Sequence, residues 1–158
     1  MITIDEFMTP EPITLRETDS IEDARKIMTE KHIRHIPVTD NDNHLLGLVT
    51  QRDILAATGP VNVSHEGNSD ARLSDIMVRD VSSIYKTDSL RRAAIYLQSH
   101  KYGCLPVISD DRLVGIITDS DFIAIAINLL EQVELSEEES VLDDTMDDID
   151  LPEAEEYL

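Results

Sequence analysis

The chain has 158 residues, 41% of them apolar and 29% charged, enough for one ordinary domain or two small ones sharing a core. Its formal charge of -20 is uneven, because residues 131–158 hold thirteen acidic side chains and no Lys or Arg, leaving 20 acidic against 13 basic residues before them. That balance argues against binding nucleic acid or an anionic membrane through a general basic field, though it leaves room for one local anion pocket.

"MITIDEF" at the start lacks the basic start and apolar run of a signal peptide. The longest apolar stretch, Phe122 to Leu130, falls well short of the ~20 residues a bilayer span needs. Cys104 is the only cysteine, which rules out an intramolecular disulfide and suits a reducing cytoplasm. His32, His35, His44, His65 and His100 are scattered without helix-face pairs or carboxylates at ligand spacing, so no metal site is expected.

In chain order, a Met-containing turn, "FMTPEP", leads to a short extended piece from Ile13 to Leu15. A helix follows "TDS", with Ile21, Ala24 and Met28 on one face. Two β-rich runs, "RHIPV" and "LLGLVT", then flank a polar turn and read as a hairpin, and the second run feeds a helix from Asp53 onward. Residues 59–72 are rich in Gly, Pro, Asn and Ser and read as a linker.

The order then repeats. "DIMVRD" leads to an extended piece from Ser83 to Tyr85, and a second "TDS" opens a helix whose Leu90, Ala93, Ala94 and Leu97 form an apolar face. "GCLPV" and "LVGIIT" make a second hairpin, Asp110 and Asp111 read as its turn, and a helix begins at Asp121. An offset of 69 superposes Met8 on Met77, Asp19 on Asp88, Ser20 on Ser89 and Pro37 on Pro106. Past the hairpin turn the offset falls to 68 and superposes Gly47 on Gly115, Thr50 on Thr118 and Asp53 on Asp121. Two copies of one β-α-β-β-α unit account for this, an α+β fold with repeat 1 at 1–58 and repeat 2 at 73–130. Each copy is too small to bury its faces alone, so the two should pack around a pseudo-twofold axis.

The helix from Phe122 to Leu130 is apolar nearly all round, which predicts burial between the repeats or in a homodimer. Residues 131–158 form an acidic tail whose charge predicts solvation and weak order, with Val133, Leu135, Val141 and Leu142 among the side chains able to dock on a groove.

The phrases "GLVTQRD" and "GIITDSD" carry the candidate chemistry. Threonine before a helix and aspartate three residues later make a capping-box variant, worth about 1 kcal/mol per helix. The same geometry suits a nucleotide: the helix N-terminus and the Thr hydroxyl offer donors to a phosphate, and an ionised Asp can accept both hydroxyls of a ribose. Capping alone does not explain why glycine and the preceding proline recur as well. Pro37 or Pro106 would block a continued ladder and leave backbone edges for a flat base.

On "MTPEPITL", "TDSIEDARKIM", "IRHIPVTD" and "LLGLVTQRDIL", and on "IMVRDVSSI", "TDSLRRAAIYL", "YGCLPVISD" and "LVGIITDSDFI", the chain resembles a tandem CBS-domain pair, the family named after cystathionine beta-synthase. The resemblance covers about Met1 to Leu130. It implies a disc-like module with two clefts, frequently dimerised, binding adenine nucleotides (AMP, ADP or ATP), S-adenosylmethionine or NAD as regulatory ligands. It implies that Asp53 and Asp121 bind ribose, that Thr50 and Thr118 lie on the phosphate side, and that Thr14 and Ser83 line the base.

Ile36, Pro37, Leu105 and Pro106, on the strands that form the clefts, are likewise expected to be ligand-binding residues. Arg34, His35 and Arg52 in the first cleft, against Gly103, Cys104 and Ser120 in the second, lead to the expectation that the first takes a more highly charged ligand. No catalytic triad, activated cysteine or phosphate-cradling glycine loop is legible, so a non-enzymatic sensor acting on a separate protein partner is the leading reading. A ligand-free dimeric interaction module acting through its acidic tail is the alternative.

Overall fold

The computed structural model describes residues 1–58 and 71–146, with side chains through Leu142. It divides into two units, Met1–Asp121 and Phe122–Leu158. The elements of the first unit run in the expected order. A 3-10 turn (Ile4–Glu6) precedes β1 (Thr9–Pro10), α1 (Ile21–Lys31), β2 (His35–Thr39), β3 (Leu45–Thr50) and α2 (Gln51–Thr58). A second 3-10 turn (Leu73–Asp75) then precedes β4 (Ile84–Tyr85), α3 (Leu90–His100), β5 (Cys104–Ser109), β6 (Arg112–Thr118) and α4 (Asp119–Met146). Most of the linker expected at 59–72 lies outside the described residues.

Each "TDS" performs two local tasks. Asp19 Oδ2 accepts the Arg16 N–H at 2.7 Å and Asp88 Oδ2 the Tyr85 N–H at 3.0 Å, closing the turn before each helix. Ser20 and Ser89 then cap α1 and α3, accepting the N–H of Asp23 at 3.0 Å and of Arg92 at 3.1 Å. The apolar faces go inward as patterned, with Ile21, Ala24, Met28, Leu90, Ala93 and Leu97 all buried. Asp110 and Asp111 have φ of 50° and 62°, the pair of left-handed residues that a tight hairpin turn requires.

One sheet has the order β1-β6-β5-β4, with β4 parallel to β5 and the other pairs antiparallel. The hairpin β2-β3 repeats that plan with single bridges where the other sheet has strands, Leu15 pairing with Val38 and Val78 with Leu48. Both hairpins slip register at the same place, between Val38 and Thr39 and between Val107 and Ile108. The prolines do not block a ladder as expected: Pro37 pairs with Leu48 and Pro106 with Ile116, inside otherwise continuous strands. A proline lacks only the donor; the Pro37 carbonyl still accepts the Leu15 N–H at 3.1 Å.

The lead-in segments are exchanged. The turn at Ile4–Glu6, in repeat 1 by sequence, docks on repeat 2: Ile4 N–H donates to Asp88 O at 3.1 Å, Leu90 N–H to Ile2 O at 2.9 Å, and β1 pairs with β6. Reciprocally, Leu73 N–H donates to Asp19 O at 2.9 Å and Ile21 N–H to Ala71 O at 3.1 Å. Leu73 and Met77 accordingly join Ile21, Ala24, Met28, Ile36, Val38, Val49 and Ile54 in one core cluster.

This exchange explains the recurring glycines. A Cβ on Gly47 would lie 2.7 Å from Val78 O and 3.2 Å from Met77 Sδ, and one on Gly115 would strike Met8 Sδ and lie 3.1 Å from Thr9 O. The methionine turn of each lead-in therefore crosses the other repeat's strand where only glycine leaves room.

Two expectations for the second unit change. The Phe122–Leu130 run is not buried within the single chain: Ile123 is 62% exposed, Ile127 51% and Leu130 61%. A run apolar on every side exceeds what one packing face can cover. The acidic segment does not lose order at Glu131, because α4 continues unbroken to Met146. No Gly or Pro occurs between Asp119 and Met146, and its Leu, Glu and Gln residues are strong helix formers. Ile149 and Leu151 fall outside the described residues.

Candidate functional site

Where the start of β2 approaches the end of β6, a cavity of about 340 Å³ opens in the first unit, within the range of about 300–1,000 Å³ usual for small-molecule sites. Its walls come from both repeats. The lead-in supplies Thr9, Glu11, Pro12 and Ile13, the approach to β2 supplies His32 to His35, and the β6-α4 junction supplies Ile116, Thr118, Ser120 and Asp121. Apolar Pro12, Ile13, Ile33 and Ile116 can hold a flat ring between them, while Thr118, Ser120 and Asp121 offer polar groups.

The Thr-x-x-Asp phrase forms the capping box that its spacing allows. Asp121 Oδ2 accepts from Thr118 N–H at 2.8 Å and from Thr118 Oγ1 at 3.1 Å, while Asp121 N–H donates back to Thr118 Oγ1 at 3.4 Å. Thr50 and Asp53 repeat the arrangement, at 2.9 Å for both contacts to Asp53 Oδ2 and 3.2 Å for the return bond. The threonine hydroxyls therefore spend their proton on the aspartates and are not free donors for a phosphate. Asp121 Oδ1 has no protein donor among the described residues, which leaves one carboxylate oxygen for a ligand hydroxyl.

This cavity does not group the residues as expected, with Arg34, His35 and Arg52 in one cleft and Gly103, Cys104 and Ser120 in the other, because each repeat contributes to it. Arg34 and His35 line it together with Ser120 of the other repeat, while Arg52 stands exposed at the start of α2 and does not line it. Arg34 Nη2 lies 3.7 Å from Asp119 Oδ1 and donates to Ser120 Oγ at 3.5 Å. His35 sits beside Gly103, where a Cβ would meet its Nε2 at 3.0 Å. Burial and the neighbouring Arg34 hold its pKa below the usual imidazole value, and the opposing carboxylates of Asp119 and Asp53 do not reverse this.

Neither residue expected on the base side, Thr14 or Ser83, lines this cavity. Ile13 lines the cavity and Thr14 does not, since successive residues of an extended chain face opposite ways. Ser83 is exposed one residue before β4, and Ser82 is the counterpart of Ile13, accepting a hydrogen bond from Tyr96 Oη at 2.6 Å. Ile36, Pro37, Leu105 and Pro106 are core residues, each under 2% exposed, and support the cavity without lining it. Cys104 is buried in β5, where loss of solvation pushes its thiol pKa far above the ordinary range.

Thr9, Glu11, Pro12, His32, Ile33 and Ile116 were not legible as site residues, because the wall they share is made between the repeats. His44, expected without a carboxylate partner, has one: its Nδ1 lies 2.9 Å from Asp40 Oδ2 across the β2-β3 turn, with Asp42 close by. None of these three residues lines the cavity.

The CBS domain family model matches residues 4–59 and 73–128. A solved structure of a candidate acetoin utilization protein (AcuB) from Vibrio cholerae is 47% identical, covers 85% of this chain and 96% of its own, and superposes with a TM-score of 0.73. The CBS domain pair of protein MJ0100, in complex with 5′-methylthioadenosine and S-adenosyl-L-methionine, is 25% identical over 81% of this chain and 98% of its own, TM-score 0.69. CBSX2 in complex with AMP is 26% identical over 82% and 98%, TM-score 0.70. Among curated proteins, a homoserine O-acetyltransferase of Methanocorpusculum labreanum is 33% identical over 118 residues, 74% of this chain but 23% of that protein. This chain thus spans about a quarter of that relative's length.

Proposed function

Because this chain belongs to the CBS-domain family and carries two copies in tandem, we propose that it is a regulatory module that senses an adenosyl ligand in the inter-repeat cavity and signals to a separate protein partner. The observation that carries the reading is the composition of the cavity: a ligand there touches His32 to His35 of one repeat and Thr118, Ser120 and Asp121 of the other, so occupancy changes how the repeats are held together. The adenine-side wall is apolar, and the free oxygen of Asp121 accepts a ribose hydroxyl. AMP in one structural relative, and methylthioadenosine with S-adenosylmethionine in another, support the adenosyl class; ADP, ATP and NAD share the same nucleoside half. Acetyl transfer is a property of the longer curated relatives and is not proposed for this chain.

A thermal-shift series with adenosine, AMP, methylthioadenosine and S-adenosylmethionine tests the proposal. At a hundredfold its Kd, a ligand adds about 2.7 kcal/mol, and Asp121→Asn should diminish that gain. No shift with any of the four defeats the adenosyl reading.

The second reading, a dimeric interaction module, draws on the half-exposed Ile123, Ile127 and Leu130, which recur at i, i+4 and i+7 on α4. We propose that this stripe pairs two copies. Light scattering of the native protein should give a dimer that Ile127→Glu converts to a monomer; a native monomer at micromolar concentration refutes the pairing. Among the described residues no helix is long and apolar enough to cross a membrane.

A further inference from the structure

Only one guanidinium lines the inter-repeat cavity, that of Arg34, and it is already engaged. Its Nη2 lies 3.7 Å from Asp119 Oδ1 and 3.5 Å from Ser120 Oγ. The backbone donors that an anion would use at the start of α4 are engaged as well. Asp119 N–H donates to Gly103 O at 3.1 Å, Ser120 N–H to Asp119 Oδ1 at 2.8 Å, and Asp121 N–H to Thr118 Oγ1 at 3.4 Å. Glu11 and Asp121 add two carboxylates to the walls. His35 offers no compensating charge, because burial disfavours its protonated form. A phosphate brought to Arg34 can still reach its other N–H groups, but it must sit beside the Asp119 charge, which already offsets that of the guanidinium.

The fold does not require this arrangement. At the pseudo-equivalent positions of the other repeat, Gly103 stands for Arg34, and Gln51 and Arg52 stand for Asp119 and Ser120. Gln51 N–H makes the same backbone bond, donating to Arg34 O just before β2 at 2.9 Å, without any carboxylate. A carboxylate is thus dispensable at the strand-to-helix junction, and that of Asp119 lies beside Arg34, the one guanidinium on the cavity wall.

We infer that the cavity selects adenosyl ligands whose 5′ substituent is uncharged or cationic, a thioether or a sulfonium, over 5′-phosphates, and that Asp119 sets this preference. The inference rests on the adenosyl reading proposed above. Exposed ion pairs are worth little by themselves. The preference comes instead from like-charge repulsion between a phosphate and the carboxylates of Glu11 and Asp121 on the walls and of Asp119 beside Arg34.

The test is isoleucine-methyl NMR on the full chain at pH 8, titrated separately with 5′-methylthioadenosine and with AMP. Ile13, Ile33 and Ile116 line the cavity, whereas the pseudo-equivalent positions are Ser82, Tyr102 and Leu48, so these three methyls report on this cavity alone. In the wild type, methylthioadenosine should move them with a Kd at least tenfold below that of AMP, equivalent to about 1.4 kcal/mol. Asp119→Asn keeps an acceptor for the Ser120 N–H while removing the charge. It should tighten AMP until the ratio falls below about threefold, with methylthioadenosine changed by less than about twofold. Wild-type protein that binds AMP as tightly as methylthioadenosine overturns the selectivity but leaves the adenosyl reading standing, and so does an Asp119→Asn variant with an unchanged ratio. Methyls that respond to neither ligand overturn both.

Discussion

Replacing Gly47 by alanine tests the exchanged lead-ins directly. The new Cβ would sit 2.7 Å from Val78 O and 3.2 Å from Met77 Cε and Sδ. Val78 is fastened there by reciprocal hydrogen bonds with Leu48, 2.9 Å each way, so its carbonyl can retreat only by breaking the bridge. Losing two backbone hydrogen bonds costs about 1 kcal/mol each, and overpacking adds about 1–3 kcal/mol. Restriction of the unfolded chain returns about 0.4–1 kcal/mol. The expected net destabilisation is about 2–5 kcal/mol by urea unfolding.

Gly115→Ala meets chiefly Met8 Sδ and Cγ, the flexible end of a side chain, with Thr9 O at 3.1 Å, and should cost only about 1 kcal/mol. The two sites therefore separate in a double-mutant cycle. Met8→Ala should make Gly115→Ala nearly neutral, whereas Met77→Ala should not rescue Gly47→Ala, because its obstacle is a carbonyl. A Gly47→Ala protein within about 0.5 kcal/mol of wild type, or one fully rescued by Met77→Ala, refutes the account of the glycine.

Other predictions concern single groups. Ser20→Ala and Ser89→Ala each remove a helix cap and should each lower stability by about 1 kcal/mol in urea; two silent variants would show that the caps hold nothing. His35 has a folded pKa below its unfolded value, so the unfolded chain takes a proton first and stability is lost as pH falls below about 6.5. Unfolding compared at pH 7.5 and 5.5 should show a larger loss for wild type than for His35→Gln, and equal losses would contradict the buried neutral imidazole. Cys104, buried with its thiol pKa raised, should resist a thiol reagent at pH 8 until urea unfolds the chain. Prompt labelling of the native protein would place the thiol at the surface.

The sites where reading succeeded and failed follow the range of the forces involved. "TDS" was legible because a turn carboxylate and a serine cap act within three residues, and both helices begin at the expected place. Hairpins and buried helix faces were legible for the same reason, since period and turn chemistry are local. Thr14 was misplaced by one residue because a three-residue extended piece has too little alternation to set its register. Arg34 was assigned to the wrong neighbours because Ser120, 86 residues away, belongs to the other copy.

The sequence by itself determined the duplication, the β-α-β-β-α order of each copy and the Thr-x-x-Asp caps, all properties of segments that choose their own conformation. It also determined that a charge of -20 rests largely on the C-terminal segment. Only the tertiary structure decided that each lead-in crosses to the other repeat, that Gly47 is glycine to admit the Val78 carbonyl and Gly115 to admit Met8, and that one cavity draws its walls from both copies. The physical reason is that a pseudo-symmetric pair can satisfy the same local preferences with its lead-ins kept or exchanged. What separates those arrangements is packing between distant segments, where the hydrogen bonds from Ile4 to Asp88 and from Leu73 to Asp19 are made.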